Sequence, residues 1–400
     1  MRIGMMVDSY KPYISGITNY VEVNKEYLEK AGHEVFVFTF GDLEFQDTEL
    51  NIIRSPGVQL ADTGFYLSMR YSREAKKLLQ TMEVVHVHHP FLSGRLALHY
   101  CRPKNIPIVF TNHTRYDLYA QAYLPLMPDL VSIGLLQSYM PPFCKAMDMV
   151  ITPSAGMGEV LRELKVEGEI EILPNGVDLS NFKTAKPLPR ENFGYKPDDI
   201  LIVYAGRIAL EKNLPFLIEA FSGVAKAIPN VHLILIGGGV KPFEEDIQEL
   251  VASQDVAKQI RLMGRVPYDQ LPAYLAMCDI FATASVTEVH PLSVIEAMGA
   301  GLPIMGIESV GVGDTVQDGV TGYLATEDLP AFTAKLTRLC LDPKLRRQVS
   351  KSAREASSAY AIERTTTLMI QKYEELTRGN IPRRSSFNSR LRGILEKFLS

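Results

Sequence analysis

Glu288 and Glu296 stand on either side of a helix start, in the stretch TASVTEVHPLSVIEAMGAGLP that spans residues 283–303. An apolar run from Asp279 to Ala284 ends in a polar loop, Ser285 to His290. Pro291 then opens a helical pattern with Leu292, Ile295, Ala297 and Met298 as its apolar positions. Proline suits the first helical position, where its missing N–H would be unpaired anyway. A helix N-terminus offers free amides and a partial positive charge, which suit a phosphate. An ionised glutamate accepts two or more hydrogen bonds, which suits hydroxyls. A sugar carried on a nucleoside diphosphate needs both. A strand, a loop and a helix with two solvated glutamates account for the spacing equally well.

Other candidates share that chemistry. Arg207 and Lys212, in Gly206-Arg-Ile-Ala-Leu-Glu-Lys-Asn213, follow the apolar run Ile200–Ala205. Two cations at a strand exit can clamp a diphosphate and stabilise charge on a leaving group; alone, they read as surface cations. Gly237 and Gly238 begin a glycine turn after His232–Ile236, which is a weak phosphate signal by itself. Gly16 sits where a first helix begins, open to a ligand or needed only for the turn. His113, in Phe-Thr-Asn-His-Thr-Arg-Tyr116, ends another strand, where ligands of open α/β sheets gather. His86, His88 and His89 cluster at a strand end, with His86 and His88 on one face by alternation. No Cys or acidic partner is close in sequence, so no metal site is expected.

These residues need a scaffold to hold them. Short apolar runs at 2–7, 35–40, 84–88, 107–112, 149–153, 170–173, 200–205 and 232–236 alternate with helical stretches, which argues for doubly wound parallel sheets. Four hundred residues exceed the usual single domain. Apolar content of 46% and 22% charged residues describe an ordinary globular protein, and a net charge of −4 gives no pull toward nucleic acid. Four scattered cysteines fit a reducing cytoplasm. The N-terminal run reads as a strand rather than a signal peptide. No uninterrupted apolar stretch reaches the ~18 residues of a spanning helix.

The ordered set of motifs resembles the retaining glycosyltransferases of family four. It comprises Glu288-x7-Glu296 with Gly301-Leu-Pro303, Gly206-Arg207 with Lys212, the Pro174-Asn-Gly-Val-Asp178 hinge and the His113-Thr pair. Pro291 departs from the glycine many members carry, which alters the set of donor-facing amides. The resemblance implies an α/β GT-B fold, with two Rossmann-like domains facing across a cleft that closes to exclude water. The expected division is an acceptor domain at 1–182, a linker at 183–198, a nucleotide-sugar domain at 199–365, and a returning helix with a basic tail at 366–400.

By the same resemblance, His113, Glu288, Arg207 and Lys212 would be catalytic. Gly16, Arg207, Lys212, Gly237, Gly238, Arg265, Val266, Glu288, Val289, His290, Pro291, Leu292 and Glu296 would hold the donor. The expected donor is a UDP-sugar, with GDP as runner-up. No cofactor is expected to be required, with Mg²⁺ at most stimulatory.

The run His113-Thr-Arg-Tyr116-Asp-Leu-Tyr119 is similar to the subset that glucosylates diacylglycerol. Residues 118–144 are apolar and broken by prolines and glycines: a lipid-facing wall, or a buried helix pair. Arg70, Arg73, Lys76 and Lys77 form a basic helical pattern that could meet anionic headgroups or simply be solvated. The tail repeats Phe387, Leu391, Ile394, Leu395, Phe398 and Leu399 at helical spacing among basic residues. It suits an anionic lipid surface or the protein's own first domain. The expectation is hexosyl transfer to a membrane lipid, at the cytoplasmic face. Rival readings are a phosphatidylinositol, polyprenyl-linked or soluble acceptor, a nucleotide-sugar epimerase or phosphorylase, and a non-catalytic membrane-surface protein.

Overall fold

The computed structural model describes residues 1–13, 15–41, 43–59, 66–68, 70–118 and 129–379. Tyr119, residues 119–128 of the apolar stretch and the basic tail at 381–400 lie outside the described residues. The chain forms two compact units, Met1–Gly176 with the chain from Ile362 onward, and Val177–Ala361.

These limits correct the expected boundaries. The first break falls at Gly176, not after residue 182, because Phe182 is buried in the core of the second unit. Residues 183–198 belong to that unit as well. Arg190 donates to the Met277 carbonyl at 2.8 Å and to Asp279 at 2.9 Å. The chain returns to the first unit at Ile362, since Ile362 and Thr365 pack over Gly176. A Cβ on Gly176 would come within 2.0 Å of Thr365 Oγ1, so only glycine fits there.

The first unit holds β1 (Arg2–Met6), β2 (Glu34–Phe40) and β3 (Ile52–Ser55), a short antiparallel pair β4 (Val58–Gln59) and β5 (Tyr66–Leu67), then β6 (Val84–Val87), β7 (Ile108–Thr111), β8 (Met149–Thr152) and β9 (Glu171–Ile172). Apart from that pair, the described strands form one parallel sheet in the order β3-β2-β1-β6-β7-β8-β9. The helix Ile362–Thr377 also belongs to this unit. Its Met369, Tyr373 and Leu376 sit in one core with Ile3, Met5, Tyr20 and Val21.

The second unit holds β10 (Ile200–Ala205), β11 (Val231–Ile236), β12 (Ile260–Gly264), β13 (Ile280–Ala282), β14 (Ile304–Ile307) and β15 (Gly322–Ala325), ordered β12-β11-β10-β13-β14-β15. Its β10 shows why these runs are continuously apolar. Leu201 and Val203 enter one core with Phe281 and Met298, while Ile202 and Tyr204 enter another with Leu217 and Phe332. A strand covered on both faces has no polar side to display. Each fully buried aliphatic side chain contributes about 1.5–3 kcal/mol.

In both sheets the strand order reverses beside the first strand, at β1/β6 and at β10/β13. Such switch points open a crevice at the strands' carboxyl ends, where ligands of α/β sheets bind. His88 follows β6 and His113 follows β7. In the second unit, Arg207 follows β10 and Glu288 follows β13.

Candidate active site

The second unit brings the expected charges together. Lys212 ends a 3₁₀ turn, Leu210–Lys212, and Asn213 takes the left-handed conformation (φ 49°) that starts the helix Leu214–Ala227. Lys212 Nζ meets Glu288 Oε1 at 2.5 Å, with each side chain about four-fifths buried. Arg207 Nη2 donates to Glu211 Oε1 at 2.8 Å. Burial pushes the Glu288 carboxyl up, but the Lys212 ammonium, a Ser285 hydrogen bond and Arg207 outweigh it. Glu288 is therefore held below the usual carboxylate range and stays ionised.

Glu296 has the opposite environment. It is buried in the helix Leu292–Ala300, and burial pushes its carboxyl up to about 7, with only the Tyr268 hydroxyl opposing that. Tyr268 donates to Glu296 Oε1 at 2.7 Å. This folded value lies above the ordinary 4.5, so the folded state holds the proton more tightly. The resulting stability is present below about 4.5 and is lost as pH rises through about 7. Relative to Glu296→Gln, the ligand-free protein should lose stability on the order of 3 kcal/mol across that window. Urea titrations at several pH values measure it, and a pH-independent difference would refute the assignment.

Pro291 is the residue before the helix, not its first residue. Its extended conformation (φ −75°, ψ 110°) caps a helix that begins at Leu292. No side chain caps this helix start, so its first amides suit an anion. Val289 and His290 point inward. The His290 ring packs edge-on against Tyr360 at 5.1 Å, and burial pushes it down to about 4. Leu292 packs against Ile295 and Val177.

The glycine turn has an internal reason. At Gly237 (φ 144°) a Cβ would lie 1.7 Å from the Gly206 carbonyl, and at Gly238 it would lie 2.5 Å from Arg265 Nε. The Gly237 amide donates to Gly264 and the Gly239 amide to Glu244. The turn thus locks the Arg207 loop to β12. Arg265 donates to the Gly239 carbonyl, and Val266 packs on the adjoining core.

In the first unit, Ser15 caps the helix Gly16–Lys30 by accepting from the Thr18 amide. A Cβ on Gly16 would meet nothing within 4 Å, so the fold does not demand glycine there. His113 Nε2 lies 3.0 Å from His88 Nδ1. His86 is satisfied by Tyr373 and Thr111, each at 2.7 Å. Among the described residues, no group of three or more His, Cys, Asp or Glu is arranged to hold a metal ion.

The basic residues Arg70, Arg73, Lys76 and Lys77 are exposed, while Ala75 and Leu79 face the core. Lys76 sits over the Tyr100 ring at 5.1 Å. Tyr116 packs edge-on against Phe91, which is half-exposed. The helix Asp129–Lys145 exposes Val131 and Leu135. No helix among the described residues is long and apolar enough to cross a membrane.

Four residues escaped the sequence reading: Tyr268, Glu211, His88 as the partner of His113, and Gly311. Gly311 (φ 81°) lies beneath the Glu288–Val289 peptide, where a Cβ would fall 2.6 Å from the Glu288 carbonyl oxygen. None follows a spacing rule, although the Val-Gly-Val-Gly run at 310–313 marks a tight turn.

Two doubly wound sheets, with charges gathered at the switch point of the second, define a GT-B glycosyltransferase. The solved sucrose-phosphate synthase of Thermosynechococcus elongatus has the same fold, with TM-score 0.76 over 94% of this chain and 98% of that one, at 22% identity. The model for glycosyl transferases group 1 matches residues 186–356, and that for glycosyltransferase family 4 matches residues 14–181. The alpha-monoglucosyldiacylglycerol synthase of Acholeplasma laidlawii is 31% identical over 380 residues, covering 91% of this chain and 94% of that one. Its namesake in Streptococcus pneumoniae is 28% identical, covering 81% and 75%. The chain belongs to the family-four glycosyltransferases.

Proposed function

We propose that this protein is a retaining hexosyltransferase that moves glucose from UDP-glucose to 1,2-diacylglycerol at the cytoplasmic membrane face. The observation that carries the chemistry is the Lys212–Glu288 ion pair beside the uncapped start of the helix Leu292–Ala300. Ionised Glu288 accepts hydrogen bonds from the sugar hydroxyls, and Glu296 accepts them from the ribose. Arg207, Lys212 and the helix amides stabilise charge on the departing diphosphate, so no divalent ion is required and Mg²⁺ is at most stimulatory. No side chain is assigned as a covalent nucleophile. The acceptor oxygen attacks from the face the leaving group vacates, and a phosphate oxygen takes its proton.

The lipid acceptor is supported by the two relatives named for monoglucosyldiacylglycerol synthesis. Exposed cations at Arg70, Arg73, Lys76 and Lys77 suit an anionic surface, each adding about 1 kcal/mol near the headgroups. Exposed Phe91, Val131 and Leu135 suit its apolar margin.

The test is transfer to diacylglycerol in mixed micelles containing anionic lipid, scanning UDP- and GDP-sugars. Mass spectrometry should find one hexose on diacylglycerol from UDP-glucose, and NMR should show the α-anomer. A β-linked product would overturn retention. Donor hydrolysis without a lipid product would overturn the acceptor.

A further inference from the structure

We propose that His88 is a positioning residue that fixes His113 as the tautomer with its proton on Nδ1. The His113 nitrogen not engaged by His88 then donates a hydrogen bond to the ligand. The inference rests on the reading of His113 as a ligand-contacting residue.

His88 directly follows β6 and His113 lies two residues past β7, at the carboxyl ends of neighbouring parallel strands. Their rings meet through His88 Nδ1 and His113 Nε2 at 3.0 Å. Burial and the neighbouring imidazoles push both rings well below 6.5, so both are neutral at physiological pH. A neutral imidazole has one N–H and one bare nitrogen. One ring therefore donates and the other accepts, and the structure distinguishes which.

The deciding atom is His88 Nε2. It is buried and has no hydrogen-bond partner among the described residues. If His113 were the donor, His88 would carry its proton on Nε2, leaving a buried N–H with no acceptor. An unsatisfied buried group costs about 1–3 kcal/mol, and orphaned N–H groups are rarer than unfilled acceptors. If His88 donates from Nδ1, its Nε2 is a bare acceptor and the rarer defect is avoided. His113 Nε2 is then the acceptor, which leaves the His113 proton on Nδ1.

The surroundings hold this choice in place. His86 packs against His88 with ring centroids 4.2 Å apart, and it is itself saturated by Tyr373 and Thr111. It has no N–H to offer His88. His89 Nδ1 accepts from the Asp8 amide and so faces elsewhere. Tyr20 lies against the His113 ring at 4.6 Å. His113 is thus fixed in rotation between His88 and Tyr20, and a second hydrogen bond sets the tautomer of a histidine that works through its other nitrogen.

The experiment is a long-range ¹H–¹⁵N correlation on the full chain, labelled only at histidine, with His113 assigned by substitution. Wild type should show His113 protonated on Nδ1. His88→Phe should return it to the Nε2 form that histidine prefers in water, and lower kcat by about 10- to 100-fold with little change in donor KM. His88→Asn, whose amide N–H can stand where Nδ1–H stood, should restore most of kcat. A wild-type His113 protonated on Nε2 overturns the proposal, and that measurement does not depend on any variant folding. Unchanged transfer in His113→Ala would instead overturn the reading of the site.

Discussion

Lys212→Ala should lower kcat by about 10²- to 10³-fold, the loss seen when one fixed stabiliser of transition-state charge is removed. The effect has two parts, because Lys212 touches two things in the proposed reaction. It is a cation beside the departing diphosphate, and it is the 2.5 Å partner of Glu288. Without it, burial pushes the Glu288 carboxyl up, opposed only by the Ser285 hydrogen bond and the Arg207 charge. The acid limb of kcat/KM should therefore move to higher pH, so that activity at mildly acidic pH suffers most. Lys212→Arg keeps the charge without the geometry and should recover part of kcat. The check is a pH–rate profile for the three proteins, with circular dichroism to confirm folding. A kcat within threefold of wild type, or an acid limb that does not move, would sink the assignment.

Gly311→Ala should be nearly as damaging, although Gly311 is read as touching no substrate. Its backbone (φ 81°, ψ −54°), near the strained γ-turn region, costs an alanine about 1–3 kcal/mol. The added Cβ also meets the Glu288 carbonyl oxygen at 2.6 Å and the Val289 carbonyl carbon at 2.7 Å. Those are backbone atoms and cannot rotate away. The Glu288–Val289 peptide must shift, and the Glu288 side chain must leave Lys212 with it. The expected result is a loss of about 3 kcal/mol in stability and a fall in kcat of about 100-fold. Gly313→Ala is the control, since a Cβ there meets nothing within 4 Å. Urea unfolding and transfer assays on the pair decide the matter. Equal behaviour of the two variants would mean that Glu288 does not depend on the backbone beneath it.

The same pair shows where sequence reading ends. Gly311 and Gly313 stand two apart in Val-Gly-Val-Gly and look alike. They differ only in what the fold brings against them. Lys212 and Glu288 were each legible as charges near a strand exit, but the ion pair between them was not. The two-sided burial of β10 was legible from its unbroken apolar run. The Tyr268 bond to Glu296 was not, since it joins a loop after β12 to a helix with no periodicity to link them. His86 and His88 do share a face, as strand alternation requires, but their division of labour depends on partners in β7 and in the C-terminal helix. The linker was misjudged because proline and lysine content describes a chain without regular structure, and residues 183–198 have little of it while still being anchored through Arg190.

The helix Ile362–Thr377 supplies Met369, Tyr373 and Leu376 to the core of the first unit. On the ribosome, that unit's sheet emerges early, but this helix does not exist until the second unit has been made. At about 5–20 residues per second, translating Val177 to Ala361 takes roughly 10–40 s. Until then the core residues that pack on Tyr373 lack that partner, and His86 lacks one of its two hydrogen bonds. The second unit, continuous in sequence, can complete itself first. The first unit, although its sheet is made first, is therefore expected to close its core only after the second unit has been synthesised.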